Sequence, residues 1–199
     1  MVETISPMVH GGRNASYYRA VALHTLGASL SAAALGTALG VFGSTLGAPW
    51  GDGGLWVVAG IAALYALREL AGVNIPLLDL DRQVPMWWRS FFSNDIAALL
   101  YGLGLGVGFV TYLSFGTLIA VAATALVSGS PGIGVLCLLP FGIARGLSVL
   151  AVGKGEPSDL LERLEDPAIR ARAKLVNGLA LVTAAVAVAA PTLVDSPFP

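Results

Sequence analysis

The sequence predicts an all-α fold, a polytopic membrane helical bundle of about five transmembrane helices. Three observations carry that reading. Residues 96–144 contain no Asp, Glu, Lys or Arg. Crossing the hydrocarbon core takes roughly 20 apolar residues, so this run is long enough for two passes with a turn at 128–132. Charged residues make up 12% of the chain, about half the ~25% of soluble proteins. The mean hydropathy is +0.79, and the 25 glycines suit helices that pack through small side chains.

In chain order, residues 1–18 are polar and lack the short apolar region and small-residue cleavage site of a signal peptide, so the first span is expected to act as an uncleaved anchor. That span covers about 20–47, where Ala32, Gly36, Gly40 and Ser44 form a ladder of small residues at four-residue spacing. A turn with one acid and no base leads to the second span, 54–74, which Arg68 and Glu69 interrupt near its end. Residues 75–94 form an interfacial cytoplasmic loop. Pro76 and Pro85 prevent one continuous helix there, and Trp87, Trp88, Phe91 and Phe92 lie beside Arg82 and Arg89. This loop is either an aromatic belt at the headgroups or a docking element for a partner.

The third and fourth spans are 96–127 and 132–152. Residues 153–174 are a cytoplasmic amphipathic hairpin in which Ser158 caps a short helix with Leu160, Leu161 and Leu164 on one face. Asp166 followed by Pro167 restarts a helix leading into the last span, 175–194. A sixth span would require 96–127 to hold two crossings. At ~1.5 Å per residue it is too short for that, except as two half-helices.

Charge placement orients these spans. With the N-terminus inside, Arg13, Arg19, Arg82, Arg89, Lys154, Arg163, Arg170, Arg172 and Lys174 all fall on the cytoplasmic side. Arg68 and Arg145 lie in helices toward that side, and the outer turns and the tail carry no base. The expected location is the bacterial cytoplasmic (inner) membrane, N-terminus inside and C-terminus outside. The lipid bilayer is then one partner, and a net charge of −1 argues against nucleic acid as another.

The layout also suggests a two-helix parallel repeat. A shift of 77 residues superposes the first two spans on the third and fourth, placing Leu26 and Gly27 on Leu103 and Gly104, Ala48 on Ala125, and Arg68 on Arg145.

Two groups of residues qualify for a substrate path. An arginine inside a span costs ~2.5–3.5 kcal/mol and faces a cavity or a partner unless it snorkels to the headgroups. Arg68 and Arg145 therefore either line an anion path, with Glu69 as countercharge, or reach the cytoplasmic interface. The second group is Gly102, Gly104, Gly106 and Gly108, followed by Thr111, Tyr112, Ser114 and Thr117. Alternate glycines fall on every side of a helix, so this stretch either unwinds beside a substrate or lets neighbouring helices approach closely.

Cys137 lies in an apolar run with Pro140 three residues on; as the sole cysteine it excludes a disulfide or two-thiol redox cycle within the chain. His24 is a proton-relay candidate or a satisfied packing residue. No metal-ligand cluster, nucleophile–base pair or paired carboxylates occur within the spans. No catalytic residue, metal or cofactor is expected, and the chain is not expected to be an enzyme.

The glycine-rich span 101–109 (YGLGLGVGF), followed by a proline-containing span, resembles the CcdA/DsbD-type reductant conductors and the wider LysE superfamily of small membrane proteins. The resemblance covers about residues 95–150. It implies a bundle of about six spans and the movement of a small solute. It does not carry over thiol shuttling, because the paired intramembrane cysteines are missing: Cys137 stands alone, and its counterpart in the repeat is Gly60.

The leading expectation is a transporter or channel for a small solute or ion, assembled as a homo-oligomer. The alternative is a non-catalytic membrane subunit or assembly factor that binds a protein partner through Arg82, Trp87, Trp88, Arg89 and the 153–174 hairpin.

Overall fold

The exposed and buried residues of the first helix reverse the pattern of a water-soluble protein. From His24 onward its buried positions are small or polar (His24, Gly27, Ala28, Ser31, Ala32, Gly36, Gly40, Gly43), whereas Leu26, Leu30, Val41 and Phe42 face outward. Large side chains turned out and small ones turned in are what a helix surrounded by hydrocarbon needs, since lipid tails are as apolar as leucine and close packing must supply the cohesion.

The structure, a computed structural model, describes residues 5, 10–12, 14–77, 91–108, 116–151 and 166–194. Among these the regular elements are all helical: α1 (Ala15–Thr45), α2 (Gly51–Ala71), α3 (Asn94–Gly106), α4 (Thr117–Ser128), α5 (Pro131–Leu147), a 3-10 turn (Ser148–Ala151) and α6 (Pro167–Val194). Four are long and apolar enough to cross a membrane: α1, α2, α5 with its 3-10 extension, and α6. The chain is thus a polytopic membrane helical bundle. Of the loops named above, 78–90 and 152–165 lie outside the described residues, with Arg82, Trp87, Trp88 and Arg89 among them.

Two units make up the chain. The first takes Met1–Leu35, Asp79–Tyr112 and Leu139–Ile169; the second takes Gly36–Leu78, Leu113–Leu138 and Arg170–Pro199. In the first unit, α1 and α3 meet backbone to backbone. A Cβ on Gly102 would collide with the carbonyl of His24, and one on Gly106 with the carbonyl of Ala28 and the hydroxyl of Ser31. Gly27 offers the reciprocal recess to Leu99 and Leu103. Gly142 and Gly146 of α5 do the same against Ala28 and Thr25. A small apolar core of Ile5, Tyr17, Ala20, Val21, Ala98 and Val149 closes one end, and an Arg19–Asp95 ion pair of 2.8 Å joins the first turns of α1 and α3.

In the second unit the lower part of α1 continues the small-residue contact with α5 and the turn before it. Gly36 and Gly134 each approach the other's carbonyl, Gly40 lies on the carbonyl of Ser130, and Gly43 on that of Leu126. The contacting ladder ends on Gly43; Ser44 is exposed and bonds its own helix. Each four-residue step turns a helix ~40° too far, so after three steps position 44 is about 120° from Ala32, whereas position 43 is about 20° away. Gly129, at φ +59°, makes the tight reversal from α4 into α5 against Ala48.

The run 96–127 is not one helix. It divides into α3 and α4, with Gly108 at φ +72° just past the end of α3. The four glycines from 102 to 108 explain the break, each costing about 1 kcal/mol of helix propensity relative to alanine. The counterpart of continuous α1 under the 77-residue shift is therefore this pair of shorter helices. Asp166 caps α6, accepting the Ala168 N–H at 2.8 Å ahead of Pro167 at the first helical position.

Glycine positions separate into contacts and bystanders, which gives a direct test. Gly36→Val is expected to lower stability by about 1–3 kcal/mol, as overpacking does. Gly60→Ala, with open space around its Cβ, is expected to be neutral or to stabilise by up to about 1 kcal/mol. Thermal melts of the detergent-purified protein read both.

Candidate functional site

The polar residues of the second unit converge on one carboxylate. Glu69, on the last turns of α2, has no exposed side-chain surface. One of its oxygens, Oε1, accepts from the Arg68 guanidinium at 2.5 Å and from the Gly116 backbone N–H at 3.4 Å. Gly116 is the N-cap of α4, and no side chain of that helix caps its own end. Glu69 therefore brings a negative charge to the positive end of the α4 dipole, where the first-turn N–H groups need an acceptor.

Arg68 is held by more than this pair. Its Nε donates to the carbonyl of Ile75 at 2.9 Å, and the Tyr65 hydroxyl donates to that of Pro76 at 3.1 Å. The segment after α2 is thereby tied back onto its last two turns. The guanidinium remains 23% exposed, so Arg68 both balances a buried carboxylate and keeps an open side.

From α6, Asn177 completes the cluster. Its Oδ1 accepts the hydroxyl hydrogen of Thr117, the first residue of α4. Gly178 lets α6 lie against Glu69 and Leu70, where a β-carbon would push the Leu70 side chain aside. On the far side Gly116 packs on the Tyr65 ring. Two polar atoms of the cluster, Glu69 Oε2 and Asn177 Nδ2, have no hydrogen-bond partner among the described residues.

Of the residues singled out from the sequence, the structure therefore joins Arg68, Glu69 and Thr117. Arg145 belongs to the first unit, where its guanidinium lies 5.4 Å from the centre of the Phe141 ring. Gly106, in the α1–α3 contact, and half-buried Gly104 also belong to that unit, as does Gly108. Thr111 and Tyr112 lie outside the described residues. His24, fully buried, donates from Nδ1 to the carbonyl of Ala98 at 3.2 Å, and its Nε2 has no hydrogen-bond partner among the described residues. Sequence reasoning passed over Tyr65 and Asn177. Asn177 carried a usable signal, being an amide three residues into the apolar stretch that follows Lys174.

No family model matches the chain, and no solved structure matches it significantly. Curated relatives do. The chain is 34% identical over 130 residues to the methylamine utilization protein MauF of Paracoccus versutus, covering 64% of this chain and 47% of that protein. It is 31% identical over 163 residues to MauF of Methylorubrum extorquens, covering 80% of this chain and 56% of the relative. A third, from Methylophilus methylotrophus, is 33% identical over 130 residues, covering 63% and 45%.

This chain is similar to MauF proteins. It spans about half the length of the MauF relatives it matches. The resemblance to the CcdA/DsbD-type conductors and the LysE superfamily is thereby corrected, because the relatives found over 130–163 residues carry the MauF name. That resemblance rested on glycine-rich texture, which closely packed membrane helices share whatever their ancestry.

The Arg68–Glu69 pair predicts a definite ordering of variants. Glu69→Leu alone strands the guanidinium and leaves Gly116 without its acceptor, and is expected to cost about 3 kcal/mol or more. Arg68→Met combined with Glu69→Leu is expected to be less damaging than Glu69→Leu alone, since the stranded charge is gone. Unfolding in mixed micelles measures the difference; a double variant worse than the single would show that the ion pair is not what matters there.

Proposed function

We propose that this chain is a non-catalytic accessory subunit of the cytoplasmic membrane that works through a protein partner in methylamine utilisation. The observation that carries the reading is the 31% identity to a methylamine utilization protein over 80% of this chain. The transport reading finds no support in that name, whereas the assembly-factor alternative fits it.

The packing agrees with such a role. Two charged groups of the second unit, Arg68 and Glu69, are engaged with each other and with backbone: Arg68 with Glu69 and Ile75, Glu69 with Gly116. Meanwhile α6 is the least buried of the four long helices. It presents Leu175, Val176, Leu179, Val182 and Val186 outward, below a basic first segment with Arg170, Arg172 and Lys174. A partner helix in the bilayer has an apolar face to meet there, and the aromatic-basic segment 82–92 offers a second contact at the interface. Lys and Arg placement favours the cytoplasmic side for that segment.

Deleting the gene in its host is expected to abolish growth on methylamine while growth on an unrelated carbon source continues. Uptake of labelled methylammonium by the deletion strain separates the two readings. Retained uptake with lost growth is the accessory outcome, and lost uptake would point back to transport.

A further inference from the structure

A cavity of about 320 Å³ opens in the second unit between the start of α2, the end of α4 and α6. Its size lies at the lower end of the range for small-molecule sites. Most of its wall is apolar, supplied by residues such as Leu55, Val58, Val127 and Val188. The polar side chains on it are the carboxylate of Asp52, the hydroxyls of Thr124 and Ser128, and the Trp50 indole.

The hydrogen bonds already made by these groups decide which ligand fits. The Thr124 hydroxyl spends its hydrogen on the carbonyl of Ala120 at 2.9 Å, and the Ser128 hydroxyl on that of Ala125 at 2.8 Å. The Trp50 N–H is given to the carbonyl of Leu46 at 3.2 Å, which ties the indole to the end of α1. The Ser128 oxygen also accepts the Ser130 N–H at 3.3 Å, which leaves the Asp52 carboxylate as the polar group with no hydrogen-bond or ion-pair partner among the described residues. Among the described residues, Asp52 is the only charged one on the wall. The N-terminus of α2 adds about half a positive charge nearby, and the full negative charge of Asp52 outweighs it. A mostly apolar wall with one exposed carboxylate disfavours an anion and favours a cationic donor. An indole beside it strengthens that preference, because aromatic faces attract ammonium groups. The apolar remainder calls for a hydrocarbon tail.

We propose that this cavity binds the ammonium end of a primary alkylamine and lays the alkyl chain along Leu55, Val58, Val127 and Val188. Two carriers share that chemistry, a free alkylammonium ion from the aqueous phase and the ethanolamine head of a phospholipid. The site is separate from the Glu69 cluster and does not depend on the accessory reading.

The test uses the full chain purified in detergent and titrated with n-butylammonium chloride, followed by tryptophan fluorescence. A saturable change is expected that equal concentrations of n-butanol or sodium chloride do not reproduce. Asp52→Asn is expected to weaken it about fivefold, the upper reach of an exposed ion pair. Asp52 is exposed, so an unchanged melting temperature is expected to certify the fold of that variant. No saturation, an equal response to butanol, or an Asp52→Asn protein that binds as well as the wild type would each overturn the proposal. Repeating the titration in nanodiscs assigns the carrier. Suppression by phosphatidylethanolamine but not by phosphatidylglycerol identifies the lipid head, and equal binding in both identifies the soluble amine.

Discussion

A carboxylate with no exposed surface, set in an apolar helix, constrains everything around it. Removing such a group from water is expensive unless charge and hydrogen bonds meet it where it stands. The Glu69 carboxylate is met by its neighbour Arg68 and by the uncapped start of α4, while α6 comes close to its β-carbon at Gly178. Each of these fixes another element. The arginine ties down residues 75 and 76 with the help of Tyr65. The capped start of α4 sets Thr117, and the Thr117 hydroxyl in turn donates to Asn177. One buried charge thus accounts for how α2, α4 and α6 are joined at that level of the second unit.

Elsewhere the cohesive interaction is the opposite in kind, neutral and short-ranged. The glycines of α1, α3 and α5 bring backbones within contact of each other's carbonyls, where any β-carbon would be excluded. Dispersion between closely fitted surfaces is weak per atom pair and large in sum. It is also the main attraction left when both the helix and its surroundings are hydrocarbon. That is why the buried face of α1 reads as Ala, Gly and Ser, and why its leucines and its phenylalanine point away. Glycine has a second effect in α3, where close approach and helix weakening come from the same residues. Gly102 and Gly106 seat the helix against α1, and the helix stops at Gly106.

Most of the architecture was legible because hydrophobic length is a strong signal. The four long helices, the turn at 128–132 and the Asp166 cap all followed from composition and spacing. The ladder on α1 was read correctly for three rungs and missed on the fourth, since a strict four-residue spacing ignores the drift of a 3.6-residue helix. The partners of Glu69 were harder to foresee. Arg68 is adjacent in sequence, but Gly116 and Asn177 are 47 and 108 positions away, and sequence alone does not bring them together. Tyr65 was hidden for another reason, as a tyrosine in a span commonly marks an interface rather than a clasp on the chain that follows.

The way the charges are engaged also bears on the choice between conduit and accessory subunit. A conduit for ions needs polar groups that can release one partner and take another as the substrate passes. In the second unit Arg68 and the Oε1 of Glu69 are engaged in structural bonds, with a backbone carbonyl, a backbone N–H and each other. Substituting a passing ion would mean detaching the start of α4 or the segment after α2. The carboxylate that stays open, Asp52, sits at the other end of α2. Interior charge used to hold helices together agrees with the accessory subunit proposed above.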